Sequence, residues 1–429
     1  MKKIILEQCD CLVVGGGTAG VVAAIQAARA GVKVILLEMN PQLGGTMTVG
    51  KVSSPAYFFA GGRQLIAGIG WELVREAILL SGGKLPDPQA ASDRKRPGIG
   101  VYVDPNIYPL VAEEKCLEAG VKLHYQEILT DLHPLPNGWE AEAAGSGIIR
   151  KITAREVIDC SGNATAVRLA GGSCIRERQL QPGTLEFFLG GYDLKDLDAD
   201  ELEKAYQKAL ADGELRKGDY CYPDRPLFYY LRCRGYNLQH IFQTGGPSET
   251  PDPDIQTEAG IAGRQRLLAM LRFLRRQKGL ENCTVTDLAP AASLRESWKI
   301  EGEYTITEED YLNGVRYEDA IAWTYYFIDI HNEDGVKRVF LPPGVFPTIP
   351  LRALIPRGVD RMLAAGRIIS ADRAAFSALR VEASCMAMGQ AVGAAAALAC
   401  QAGIPSRKIP VDAVRKLLRQ HNAEVPEPE

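Results

Sequence analysis

The chain reads as an α/β protein, and three observations carry that reading. A glycine cluster, Gly15-Gly16-Gly17-Thr18-Ala19-Gly20, separates the apolar run Cys11-Leu12-Val13-Val14 from a helix-like stretch, Val21 to Ala30. Strand-like and helix-like segments then alternate as far as Gly172. The same grammar returns near the C-terminus, where Met362-Leu363-Ala364-Ala365-Gly366 precedes a long Ala- and Gly-rich helix. Together they predict a Rossmann-like domain with an attached β-meander, assembled from both chain ends, with a mixed α+β domain inserted between them. The boundaries fall at 1–172 and 346–422 for the first domain and 173–345 for the insert, leaving 423–429 as a flexible tail.

Each element has a local reason. Gly15 permits the tight turn after the first strand, and Gly17 lets the backbone approach a pyrophosphate. Gly20 allows helix and strand to touch, and the helix N-terminus offers unpaired N–H groups to phosphate. Ala23, Ala24, Ala27 and Ala28 are small helix formers. Val32 to Leu37 is a β-branched and aliphatic run suited to a strand buried on both faces. Glu38 closes it, eighteen residues beyond Gly20, where a carboxylate accepts from ribose hydroxyls and repels a 2′-phosphate. The motif therefore predicts an ADP-containing cofactor.

Further along, Gly44-Gly45-Thr46 and Gly61-Gly62 are loops, Trp71 to Leu80 is helical, and polar Pro86 to Gly100 is a surface excursion. Ile107 to Ala119 is a helix leading into the strand Val121 to Tyr125; Gly138 to Ile152 is a hairpin or short meander, and Glu156 to Cys160 a strand ending in Ser161-Gly162-Asn163. After Gly172, residues 185–192 and 226–244 are rich in Phe and Tyr and strand-like, while 194–211 and 257–278 are helical. Ser384 to Gly403 is dominated by Ala and carries Gln390, so it reads as a buried helix and not a membrane span.

Composition narrows the function classes. With 46% hydrophobic and 24% charged residues the chain is an ordinary soluble globular protein. A formal charge of -4 leaves no excess of positive charge for a nucleic-acid backbone. The ten cysteines form no zinc-like pair of pairs, and the N-terminus shows no signal peptide, so reduced thiols, no bound metal and a cytoplasmic setting are expected. Cys9 and Cys11 are read as buried small hydrophobes pointing to one face. No second glycine fingerprint occurs between residues 150 and 350, which argues against a dedicated Rossmann subdomain for NAD(P)H.

These motifs, with Leu363-Ala364-Ala365-Gly366-Arg367, the run Arg380 to Gly393, and a middle block of Leu294-Arg295-Glu296-Ser297, Gly302-Glu303-Tyr304, Asp319 to Ala322 and Asp329-Ile330-His331, resemble the FAD-dependent oxidoreductase family related to glutathione-reductase-type flavoproteins. The resemblance covers almost the whole chain. It implies FAD bound in an extended form, with Gly15, Gly17, Thr18, Ala19 and Gly20 at the pyrophosphate and Glu38 and Met39 at the adenosine. It further implies Gly44, Gly45 and Thr46 alongside the cofactor and Ile128, in the segment after Gln126, near the adenine. Ser161 and Gly162 would form a second crossing, and Gly366 and Arg367 would lie near the ribityl chain. Ser384 and Cys385 would stand where a helix N-terminus meets the flavin N1 and C2 carbonyl.

For the chemistry, Arg295 and Arg380, with Arg352 behind them, are candidates to hold a carboxylate. His331 and His240 are candidate proton carriers. Glu296 is read as an arginine's partner before a base, Tyr57 and Tyr304 as possible substrate contacts, and Cys385 as a packing or flavin-adjacent residue before a nucleophile. The function expected is an FAD-dependent oxidoreductase transferring hydride between a small organic substrate and flavin N5. The alternatives are a non-redox or structural FAD role and a tRNA-modifying relative, the latter disfavoured by charge. Neither nucleic acid nor membrane is an expected partner, and self-association into a homo-oligomer is left open.

Overall fold

The strand Cys11–Val14 sits at the centre of a five-stranded sheet in a computed structural model that describes residues 3–89, 98–216, 226–233, 235–241, 252–332 and 335–427. The strand order is Met362–Ala364, Glu156–Asp159, Cys11–Val14, Val34–Glu38, Lys122–Tyr125, and every pairing is parallel. Val157 pairs with Met362, so one sheet joins the two ends of the chain. All residues of Cys11–Val14 and Val34–Glu38 are buried, which is why these strands are continuous apolar runs without polar alternation.

Helices cover one face. Thr18–Arg29 and Glu382–Ala402 lie side by side, and their glycines set the spacing. A Cβ on Gly389 would come within 2.1 Å of the Ala19 carbonyl oxygen, and one on Gly393 within 2.4 Å of that of Ala23. The two matched pairs advance in the same direction, so the helices run parallel. The first turns of Glu382–Ala402 therefore reach beyond the start of Thr18–Arg29 by roughly 10 Å, at about 1.5 Å per residue. Among the described residues this helix alone is long and apolar enough to cross a membrane, and 89% of its most apolar window is buried inside the protein.

The other face packs on the meander, in the order Lys3–Gln8, Ile148–Ala154, Gly138–Gly145, Ile128–Leu135. Leu12, Val14, Ile35 and Leu37 point into this layer with Leu132, Trp139 and Ile152, whereas Cys11, Val13 and Leu36 point toward the helices. Cys9 and Cys11 are both buried but in different layers, not on one face as their spacing implies. The strand breaks at Asp10, whose carboxylate accepts from Lys33 N–H and whose carbonyl accepts from Arg155 and Glu156 N–H, passing the chain from one sheet to the other.

A second core gathers Leu185, Phe187, Tyr206, Leu231, Met270 and Leu294 around a sheet ordered Gly235–Ile241, Gly183–Gly190, Thr284–Leu288. Helices Ala199–Ala211 and Asp252–Leu274 occupy the stretches with helical pattern. The stretch 226–244 differs from its strand-like reading, because the helix Leu227–Cys233 precedes the strand. Leu227, Tyr230 and Leu231 are buried at a helical spacing, and that period overrides the aromatic preference for strands. Ile306, Tyr311, Ile321, Trp323 and Ile328 pack into the first core, so the interval 173–345 contributes to both. Of the Pro86 to Gly100 excursion, residues 90–97 lie outside the described residues, and Gly98–Val101 is a short strand.

Candidate functional site

The glycine loop is built by close backbone contacts. Gly15 has φ +98°, and a Cβ there would lie 2.5 Å from the Cys160 carbonyl oxygen; a Cβ on Gly20 would lie 1.8 Å from that of Gly15. Gly17 differs, because nothing stands within 4 Å of where its Cβ would be. It is also the N-cap of Thr18–Arg29, with no side-chain cap and no acidic residue in the first turn. The buried residues Thr18 and Ala19 follow directly. An uncapped helix end facing open space is a site for a phosphate.

Glu38 is 4% exposed and ties the second strand to this loop. Its Oε2 accepts from Gly16 N–H at 2.6 Å, and its Oε1 from the backbone and side-chain amides of Asn40 at 2.7 and 2.6 Å. Burial raises its carboxyl above the usual range, against the lowering effect of those donors. Next to it, Met39 is 56% exposed, and Ile128, just past the neighbouring strand end, 51%. Exposed apolar surface of that kind beside a buried carboxylate suits a flat base.

Gly44 N–H donates to the Gly16 carbonyl at 2.8 Å, so Gly44 and Gly45, both at positive φ, lie along the first loop, with Thr46 exposed beyond them. Gly366, φ +91°, meets the Ala19 side chain, and Arg367 reaches Asn163 Oδ1 at 3.3 Å beside Gly162. Three side chains expected at the cofactor are engaged elsewhere. Ser161 Oγ donates to Asp159 Oδ1 at 2.6 Å and accepts from Thr165 N–H, holding its own turn. Ser384 Oγ lies 2.7 Å from Thr324 Oγ1, and Cys385 Sγ donates to the Arg380 carbonyl. The Cys385 thiol is pushed up to about 12, first by burial and then by Glu382, which removes it as a nucleophile at neutral pH.

A second polar assembly forms around Gln181, where the middle of the chain meets residues near its C-terminal end. Its N–H donates to Glu296 Oε1 at 2.5 Å and its side-chain amide to Oε2 at 2.9 Å, while Arg373 donates to the same carboxylate at 3.1 Å. Glu296 is therefore an arginine's partner. Gln181 Oε1 in turn accepts from His331 N–H at 3.0 Å and faces Arg380 Nη2 at 3.5 Å. His331 Nε2 lies 3.0 Å from Asp329 Oδ2, and Arg380 donates to the Asp329 carbonyl at 3.2 Å. Arg295 donates to the Pro182 carbonyl at 2.5 Å and acts electrostatically on both His331 and Asp329.

Of the four catalytic candidates, Arg295, Arg380 and His331 thus converge, and the side chain of His240 lies outside the described residues. Arg352 pairs with Asp319 at 3.0 Å and stacks on Tyr304, whose hydroxyl donates to Asp310; neither joins the assembly. Tyr57 packs against Tyr325 and Tyr326 and feels the charge of Asp329. Sequence reasoning missed Gln181, Asp329, Glu186 and Glu382. For Asp329 a signal existed, since two residues' separation from His331 in the strand Ile328–Asn332 puts both on one face.

His331 is 5% exposed, and its basicity is pushed down to about 3, first by burial and then by the charge of Arg295. Below pH 6.5 the unfolded chain takes up a proton here that the folded one refuses until about pH 3, so the histidine's contribution to stability falls as pH drops through that window. His331→Gln should therefore show a shallower loss of Tm between pH 6.5 and 4 than the native chain. Parallel curves in scanning calorimetry would mean that this histidine is not the buried neutral group.

A family model described as FAD dependent oxidoreductase matches residues 10–418. No curated protein matches this chain. Among solved structures, a geranylgeranyl bacteriochlorophyll reductase-like protein from Thermoplasma acidophilum is 13% identical with a TM-score of 0.44, covering 97% of this chain and 83% of its own. An aromatic hydroxylase from angucycline biosynthesis is 16% identical with a TM-score of 0.46, covering 96% and 66% respectively. The p-nitrophenol 4-monooxygenase of Pseudomonas putida is 12% identical with a TM-score of 0.43, covering 97% and 84%. Likeness at that level assigns no reaction.

Proposed function

The chain belongs to the FAD-dependent oxidoreductase family and takes FAD as its cofactor, and from that premise we propose that it exchanges a hydride between a small carboxylate-bearing substrate and flavin N5. The residues fit an extended dinucleotide of the kind held by glutathione-reductase-type flavoproteins. Support comes from the open face at Gly17, the uncapped helix behind it, Glu38, and the exposed pair Met39 and Ile128. Bound FAD supplies the two-electron redox chemistry, and the protein supplies binding, orientation and proton handling.

The observation that carries the reading is the convergence of Arg380 and a carboxylate-held histidine on Gln181, with Arg295 on the adjoining Pro182 carbonyl and acting electrostatically on that histidine. Arg295 and Arg380 hold the substrate carboxylate and fix which carbon faces the cofactor. Asp329 sets the tautomer of His331, so proton exchange falls to Nδ1. A substrate carboxylate offsets the positive charge that depresses His331, making the imidazole more basic only when substrate is present.

The test is an anaerobic visible spectrum of the purified holoprotein, with NADH, NADPH, small hydroxy acids and unsaturated acids added one at a time. A carboxylate-bearing donor should bleach the flavin bands, and Arg380→Ala should raise its half-saturating concentration about 10- to 100-fold, a loss of about 1.4–2.7 kcal/mol. Bleaching by neutral donors alone, or an unchanged Arg380→Ala, removes the carboxylate from the proposal.

A further inference from the structure

Glu382 is the first residue of the helix Glu382–Ala402, in the turns that project past the glycine loop, two positions before Ser384. It is 7% exposed, and neither of its carboxyl oxygens has a hydrogen-bond partner among the described residues. Among the other buried oxygens in that condition are the hydroxyls of Tyr108 and Thr184. Tyr108 interacts electrostatically with Glu382, and Thr184 stands two residues from Glu186 on the strand Gly183–Gly190, on the same face. Glu186, also buried, comes from the insert and is the charged group that most affects Glu382. Two buried carboxyl groups from different parts of the chain thus act on each other electrostatically, and the Glu382 carboxyl and the Tyr108 hydroxyl that feels it are both left unsatisfied.

We propose that Glu382 and Glu186 form a redox-linked proton site, a carboxyl pair that takes up a proton from solvent when negative charge reaches the bound cofactor and returns it when that charge leaves. This rests on the junction being the active site. A buried carboxylate with neither donor nor counter-ion is too costly to persist, so Glu382 carries its proton. Neighbouring carboxyls cannot both ionise cheaply, and the pair titrates as a unit. Burial raises both acids, Glu186 to about 8, where only Arg295 opposes the rise. The other titratable neighbours of Glu382 are Tyr108 and Cys385, both neutral at pH 8, with Arg367 and Arg380 facing Cys385.

The step balances simply. Electrons arrive from the donor, a proton from solvent binds a Glu186 carboxylate oxygen, and no bond in the pair is broken. The uncharged first turn leaves the positive end of the helix dipole facing the site, which an ionised Glu382 would cancel.

Dithionite reduction of the holoprotein at pH 8, followed by infrared difference spectroscopy and by an indicator dye, tests this without any substrate. The native protein should gain a protonated-carboxyl C=O band on reduction. That band should shift with isotopically labelled glutamate and vanish in Glu186→Gln, and the native protein should take up more protons than the variant once the equal contributions of the flavin and of dithionite oxidation are subtracted. Labelling identifies the band even if a variant loses its flavin. An unchanged carboxyl region on reduction overturns the proposal while leaving the substrate reading intact. A labelled band that appears although no carboxylate donor bleaches the flavin supports the proton site and sinks the substrate reading.

Discussion

Gly20→Ala should give a protein that does not retain FAD. The added Cβ would lie 1.8 Å from the Gly15 carbonyl oxygen, 3.0 Å from its carbon and 3.1 Å from the Cys160 side chain. None of these is a flexible side-chain end. Gly15 N–H is fixed to the Leu37 carbonyl at 2.8 Å, and Val21 N–H to the Gly17 carbonyl at 3.0 Å, so relief requires the loop to leave the helix. Overpacking of this kind costs about 1–3 kcal/mol or more, and a loss of about 2.7 kcal/mol in cofactor affinity is already 100-fold. The purified variant should be colourless and should take up added FAD at least about 100-fold more weakly. Gly17→Ala is the matched control, because its Cβ meets nothing in the chain. It should keep the native Tm of the cofactor-free protein and still bind FAD poorly. Normal affinity in Gly17→Ala would place the pyrophosphate elsewhere.

Asp329→Asn should lower kcat by about 10²–10⁴ with the flavin spectrum unchanged. Asp329 is the group that fixes His331, through Oδ2 at 3.0 Å, and its carboxylate lies 3.9 Å from Arg380. Its backbone N–H is held by Ser377 Oγ, so the strand stays in place when the side chain changes. The amide keeps the shape but can donate to Nε2, which admits the wrong tautomer, and it removes the charge that balances Arg380. A defect in kcat larger than that in KM fits an orienting role. A variant within about threefold of native in both would remove Asp329 and His331 from the reaction.

The site divides by how far apart its parts lie in sequence. The geometry at Gly15, Gly17, Gly20 and Glu38 was legible because a tight turn, an uncapped helix end and the carboxylate that closes the next strand all fall within one βαβ unit, where spacing alone fixes geometry. The strand Val34–Glu38 and the helix Glu382–Ala402 were legible for a similar reason, since composition and length decide them locally. The helix at Leu227–Cys233 was not, because its aromatic residues favour strands and only packing in the second core reveals the helical spacing. For Ser161 and Ser384, partners in the same turn or distant in sequence take the hydroxyls, which a local pattern does not reveal.

The sequence by itself determined the cofactor class and the α/β parallel-strand character, which follow from short-range pattern and residue size, while the close approach of the first helix to Glu382–Ala402 at Gly389 and Gly393 was seen only in the folded chain. Tertiary structure alone decided that Gln181, Glu186, Arg295, Asp329, His331, Arg380 and Glu382 share one junction, and that Arg352 and Tyr304 do not. Charge and basicity in such a cluster depend on burial and on neighbours brought from far along the chain. Those quantities exist only once the surfaces have met.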